Sequence, residues 1–234
     1  YFKKLIVISD ALKNIYLKKS YLNSDKIQVA HDGADEVKDF DNKINLMGNT
    51  SVLKVGYVGH LYKGRGIEMI IECAKKISDM TFHIVGGTQK DVTYWKNYTD
   101  KFLIPNIFFY GFVNPKVATK YRNSFDILLA PYANKVSIHG GNDSADTSKF
   151  MSPLKIFEYM SHKKAIIASD LPVLREILNS ENSFLVKPES IDELVNAISL
   201  LKKKENREKF STKAYSDFKK FTWKKRAEKV VTQF

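Results

Sequence analysis

The chain has 234 residues, of which 44% are hydrophobic and 27% charged, a balance that excludes a disordered segment and suits one large folded domain or two small ones. A lone cysteine, Cys73, rules out an intramolecular disulfide and points to a reducing, cytoplasmic setting. No apolar run approaches the ~20 residues a bilayer span needs, and nothing reads as a secretory leader. The formal charge of +12 invites a nucleic-acid partner. Lysine, however, is spread over nearly every expected helix, so the excess reads first as solvated helix faces and no nucleic acid is expected.

From the N-terminus, β-rich runs fall at residues 5–9, 26–31, 53–58, 81–85, 107–110, 127–130, 165–168 and 183–186. Most are continuous apolar runs, the pattern of a parallel sheet buried on both faces. Helical patterns separate them at 12–21, 67–77, 92–102, 115–124, 153–161, 172–178, 191–204 and 205–220. The clearest carries Ile67, Ile70, Ile71, Ala74 and Ile77 on one stripe. Such alternation predicts a doubly wound α/β domain. Residues 32–50, polar and aperiodic with Gly33 and Gly48, read as a linker. The βαβ piece before them is too small to bury its own core and reads as the tail of another domain. Residues 133–149, with Gly140-Gly141, form a second irregular stretch of the kind that is functional or disordered.

Two strand-to-helix turns are suited to an anion, and open parallel sheets bind ligands at such turns. The first runs from Gly56 through Gly59, His60, Lys63 and Arg65 to Gly66. Its glycines let backbone approach a phosphate, and Lys63 or Arg65 can neutralise it. A plain connecting turn explains the glycines equally well, and the Walker arrangement of an ATPase is missing. The second turn is Phe150-Met151-Ser152-Pro153-Leu154-Lys155, leading into Glu158. Ser152 is the expected N-cap and Pro153 the expected first helical residue, so free N–H groups and the positive dipole end face an anion. Leu154, Phe157 and Met160 are expected to form the apolar stripe, with Lys155 and Glu158 off it. Glu158 lies about 7–8 Å along the axis from Pro153, the reach from a diphosphate to its ribose. The competing reading is a surface Lys155–Glu158 pair of little energetic consequence.

These segments, taken in order, resemble the family-4 retaining glycosyltransferases of the GT-B fold over nearly the whole chain. Gly56 to Gly66 resembles the first turn of their Rossmann-like C-terminal domain. Ser152 to Met160, followed by Lys163 to Val173, resembles their E-x7-E region. Asn106 to Val113 and Asp126 to Pro131 keep the family's order. Val29 to Asp35 resembles the linker joining the two GT-B domains, and Phe221-Thr222-Trp223 the start of the helix that crosses back. The resemblance implies a division into 1–45 (tail of an N-terminal acceptor domain plus linker), 46–222 (donor domain) and 223–234 (crossover helix). It implies a piece of a longer enzyme, inactive without its missing N-terminal domain, whose catalytic residues lie largely in that domain.

Residue by residue, the resemblance implies diphosphate contacts from Gly59, His60, Lys63, Arg65, Leu154 and Lys155, ribose held by Glu158, and the base bordered by Gly111, Phe112 and Val113. The donor sugar would meet Phe150 and Ser152. His60 stands where the family has arginine, and Phe150 where it has the first glutamate. The implied partners are a nucleotide-sugar donor and a glycan or lipid-linked acceptor in surface-polysaccharide biosynthesis, with no metal or other cofactor. A non-catalytic nucleotide-binding module is the alternative. Lys202-Lys203-Lys204 and Lys224-Lys225-Arg226 could hold the protein peripherally on an anionic inner membrane face, or could simply be solvated. Asp39-Phe40-Asp41 is a chance D-x-D in the linker. His31, His83, His139 and His162 lack metal-ligand spacing, Glu176 is a capping or pairing residue, and Tyr62 and Trp95 belong to core or interface.

Overall fold

The computed structural model describes residues 3–19, 22–137 and 146–232. Its centre is a six-stranded parallel sheet in the order β5-β4-β3-β6-β7-β8, where β3 is Leu53–Val58, β4 Met80–Val85, β5 Ile107–Gly111, β6 Ile127–Ala130, β7 Ala165–Ser169 and β8 Phe184–Val186. The chain enters at β3, builds outward through β5, then returns to add β6 on the other side of β3. Strand order therefore reverses between β3 and β6, the place where open α/β sheets present a ligand crevice.

Helices cover both faces. On one lie α2 (Ile67–Lys76), α3 (Gln89–Lys101) and α6 (Ile191–Leu200); on the other lie α4 (Pro115–Ser124), α5 (Leu154–Ser161) and α7 (Lys204–Phe218). The strands obey a two-residue period: Ile127 and Leu129 of β6 join the first core, Leu128 and Ala130 the second. Both faces are buried, which is why strands such as β6 read as unbroken apolar runs. The Ile67 stripe is buried in full.

A separate two-stranded parallel sheet, β1 (Leu5–Val7) and β2 (Ile27–Val29), is bridged by α1 (Asp10–Lys19). Among its described residues, α1 buries none. This unit is fastened at its rim instead. Ser9 Oγ donates to the Phe150 carbonyl. Arg226 of α8 (Trp223–Val231) binds the Ala30 carbonyl and the Asp32 carboxylate.

Three expectations need correction. Residues 172–177 form successive turns, not a helix: the Leu171 carbonyl takes both Leu174 and Arg175 amides, and the ladder goes no further than Leu178. The pattern at 191–204 stops at Leu200, because Asn206 and Arg207 side chains fold back onto the carbonyls of Leu200, Leu201 and Lys202. Pro153 is itself the N-cap, with extended ψ of 113°, so Leu154 is the first helical residue and Ser152 caps nothing. The Gly140-Gly141 loop and His139 lie outside the described residues. Among those described, no helix is long and apolar enough to cross a membrane.

Candidate functional site

The site forms where β3 and β6 end side by side. Tyr159 of α5 fixes it: its hydroxyl accepts the Val58 amide at 2.9 Å and lies 3.3 Å from the carbonyls of Val58 and Leu129. One turn earlier on the same helix face is Lys155. Tying Tyr159 to the strand ends therefore aims Lys155 at the Gly59 turn.

The approach is close. A Cβ on Gly59, whose φ is +156°, would sit 2.7 Å from Lys155 Nζ. That ammonium nitrogen lies 3.8 Å from the centroid of the Tyr57 ring and 5.3 Å from that of Tyr132, while the Arg65 guanidinium lies 5.5 Å from the Tyr132 ring. Tyr57 also locks the turn by donating to the His60 carbonyl at 2.6 Å.

Lys155 is only 8% exposed. The apolar stripe keeps the expected Phe157 and Met160, but Lys155 turns inward and Leu154 outward. Ile156, Phe157, Tyr159 and Met160 pack inward with Lys155, whereas Leu154 is 49% exposed. A surface Lys155–Glu158 pair is ruled out on the same ground. Desolvation first, and the Arg65 charge second, push the Lys155 amine well below its usual range. Among the described residues, six buried side-chain polar atoms have no hydrogen-bond partner, and four of them are Arg65 Nε, Tyr132 Oη, Lys155 Nζ and Ser152 Oγ. Native interiors rarely leave such groups unpaired. Two cationic side chains with unmet donors beside a glycine turn are what a bound anion would satisfy.

Glu158 stands elsewhere on α5. It lines a cavity of about 350 Å³ with Leu154, Pro115, Arg122, residues 33–39 and Trp223, and its side chain is 35% exposed. Gly59, His60, Arg65 and Lys155 do not line that cavity. Gly111 ends β5, where its carbonyl accepts the Gly86 amide at 2.7 Å. Phe112, just beyond, is 78% exposed, and Val113 packs partly against the second core. His60 stacks on Tyr62 at 4.9 Å. Lys63 is exposed and lines a different cavity with Glu68, Asn134, Lys135 and Glu189. Phe150 is half-buried ahead of α5.

Other expectations resolve structurally. His83 is buried between Thr81 and Tyr110, and desolvation holds it down to about 4. Glu176 accepts the Asp10 and Ala11 amides and meets His31 Nε2 at 2.9 Å, so it caps α1 from across the molecule. Asp39 closes a turn by accepting the Asp41 and Asn42 amides. The basic clusters are largely paired: Lys202 with Asp79, Lys204 with Glu208, Lys225 with Glu228. The tyrosines Tyr57, Tyr132 and Tyr159, and the buried Arg122, went unnoticed in the sequence. Tyr57 and Tyr132 stand within two residues of strand ends, the one signal that could have flagged them.

Fold and site together define an α/β domain with a glycine turn and buried, unpartnered side-chain nitrogens at its switch point, and comparison with known proteins supplies the family. The profile of the glycosyl transferases group 1 matches residues 53–204, and the chain belongs to that family. It is 28% identical over 238 residues to an uncharacterized glycosyltransferase, MJ1069, of Methanocaldococcus jannaschii, covering 96% of this chain and 57% of that protein. The chain thus spans little more than half of that relative's length. In fold it is similar to sucrose-phosphate synthase of Thermosynechococcus elongatus, with a TM-score of 0.77 at 18% identity, over 97% of this chain and 56% of the other. It is also similar to a mutant of S. aureus TarM in complex with Fondaparinux, alpha-GlcNAc-glycerol and UDP, with a TM-score of 0.71 at 20% identity, over 99% of this chain and 43% of the other.

Proposed function

We propose that this chain is the donor-binding part of a retaining glycosyltransferase, gripping a nucleotide-diphosphate sugar for transfer to a glycan or lipid-linked acceptor. The observation that carries the reading is the pair of unpartnered nitrogen atoms at the point where strand order reverses, Lys155 Nζ against Gly59 and Arg65 Nε further along the same turn. Family membership and the UDP bound by TarM support it.

Cleavage of the sugar–phosphate bond leaves negative charge growing on the departing diphosphate. Arg65 Nε and Lys155 Nζ are already out of water, and with the opening amides of α5 they would stabilise that charge with little reorganisation. Two side-chain cations can fill the place a metal ion would otherwise take, and the reading therefore includes no metal. Glu158, one turn further along α5, would accept the ribose hydroxyls, and the backbone at Gly111 to Val113 would border the base. Phe150 and Ser152 would face the donor sugar, with Gly59, His60 and Leu154 lining the diphosphate. Lys63 is the less suited phosphate ligand, because it faces another cavity. The domain division at 45 and 222 and the acceptor half of the site belong to the same proposal. Peripheral attachment to an anionic membrane through the basic clusters at 202–204 and 224–226 belongs to the same proposal, although Lys202, Lys204 and Lys225 pair with surface carboxylates.

The test is a thermal-shift panel of UDP-, GDP- and ADP-sugars with and without EDTA. One base should stabilise the chain by several degrees, undiminished by EDTA and abolished in Lys155→Met. Indifference to every sugar nucleotide would defeat the reading.

A further inference from the structure

Glu158 is held by a closed circuit of two hydrogen bonds and an ion pair that includes two residues outside every motif. His162 Nδ1 lies 2.6 Å from the Glu158 carbonyl oxygen, one turn back on α5. A carbonyl only accepts, so Nδ1 bears the proton and Nε2 is left as an acceptor. Arg122 of α4 fills it through Nε at 3.4 Å, and its Nη1 reaches Glu158 Oε2 at 3.3 Å. A further contact, Arg122 Nη2 to Thr119 Oγ1 at 3.4 Å, pins the far side of the guanidinium. Desolvation first and the Arg122 charge second hold the imidazole down to about 3, which keeps the single-proton tautomer in place.

Burying a guanidinium is costly, and one ion pair with a half-exposed carboxylate offsets that poorly. The circuit does fix both the main chain and the side chain of one residue. Among the described residues, nothing binds the other carboxylate oxygen, Oε1, and Glu158 lines the 350 Å³ cavity. A carboxylate anchored by one oxygen and open at the other is set to accept from a hydroxyl pair at one angle.

We propose that Arg122 and His162 are positioning residues that orient Glu158 toward a vicinal diol, so that selection of ribose over 2′-deoxyribose is a property of the circuit and not of Glu158 alone. The inference rests on the nucleotide reading above. Both residues also line the cavity, and the role assigned to them is to hold Glu158, with Glu158 alone accepting from the diol.

The experiment is calorimetric titration of this chain with UDP, GDP and ADP and their 2′-deoxy counterparts, reading the ratio of the two dissociation constants for the base that binds. The wild type should favour the ribonucleotide by about tenfold or more, as expected for a hydrogen bond to a charged group. Glu158→Gln should lose most of that preference. Arg122→Met and His162→Phe should bring it to about twofold while leaving affinity for the deoxynucleotide unchanged, a split that general loosening of the fold would not give. Arg122→Lys, which keeps the charge but cannot span both partners, should stay low. Melting midpoints report folding, and Arg122→Gln replaces any variant that fails to fold. If Glu158→Gln loses the preference while the Arg122 and His162 variants keep it, the circuit is wrong and the ribose role stands. If Glu158→Gln keeps it, or no nucleotide binds, the nucleotide reading falls and the circuit with it.

Discussion

The two ends of α5 solve opposite problems. Near its start, Lys155 is buried with its amine nitrogen against tyrosine faces and no hydrogen-bond partner, and Arg65 Nε likewise lacks one. One turn on, Arg122 is just as deeply buried, yet it is bonded to Glu158, His162 and Thr119. Both regions carry basic side chains away from water, but only one leaves them unsatisfied. A cation paired inside the protein organises its neighbours. A cation left unpaired at a glycine turn keeps its bonding capacity for something that arrives from outside. The difference therefore separates the groups that would hold a ligand from those that hold the holders.

The largest effect that would break this contrast is at Lys155. Replacing it with Met removes an unsatisfied buried amine and substitutes a side chain of similar length. Thermal denaturation should show equal or greater stability, by about 1–3 kcal/mol. Affinity for the preferred nucleoside diphosphate should fall by about 100-fold. A destabilised Lys155→Met protein would mean that the lysine is a structural element after all. Protonation sharpens the point. Burial and Arg65 depress the free amine, and an arriving diphosphate supplies the missing counter-charge. Binding should therefore take up a proton at pH values above the free protein's depressed value. Calorimetry in buffers of different ionisation heat should detect the uptake, and Lys155→Met should abolish it.

On the paired side, the expected signature is acid sensitivity. His162 and His83 have folded values near 3 and near 4, against an ordinary value of 6.5. As pH falls below 6.5 the unfolded chain binds protons that the folded chain refuses. Each histidine should then cost about 1.4 kcal/mol of stability per pH unit until its folded value is reached. Stability is whole above pH 6.5. Urea denaturation between pH 7 and 4.5 should show this slope, and His162→Phe should remove roughly half of it. An unchanged slope would place His162 outside the buried circuit.

How much of this could be read in advance depends on how local the cause is. The strands β3 and β6 were legible to the residue because their apolar-rich runs end abruptly at Gly59 and Pro131. The stripe of α2 was legible for the same reason of strict periodicity. Lys155 was misplaced because an amphipathic pattern sends charged residues outward, and only the tertiary anchor at Tyr159 turns that face inward. Residues 172–178 had helical composition, but their carbonyls close turns instead of a continued ladder. Arg122 was invisible: its role depends on a partner 36 positions away, and a lone arginine near the end of a helix announces nothing of that distance.

The smallest test concerns a third charged site, in which a part-buried carboxylate serves only the fold. Glu176 offers one oxygen to the Ala11 amide and the other to Asp10 and His31, satisfying the start of a helix that buries no side chain of its own. With so little packing, α1 depends on that cap and on the favourable meeting of a carboxylate with the helix's positive end. Glu176→Ala should cost about 1–2 kcal/mol, within the range for a lost N-cap. Hydrogen exchange should show where: amides of α1 should open faster, while β6 and β7 keep their protection. Ligand affinity at Lys155 should not change. Should protection in β6 and β7 fall as well, the rim unit and the central sheet would be one cooperative body, and the separation between residues that hold ligand and residues that hold the fold would have to be redrawn along that line.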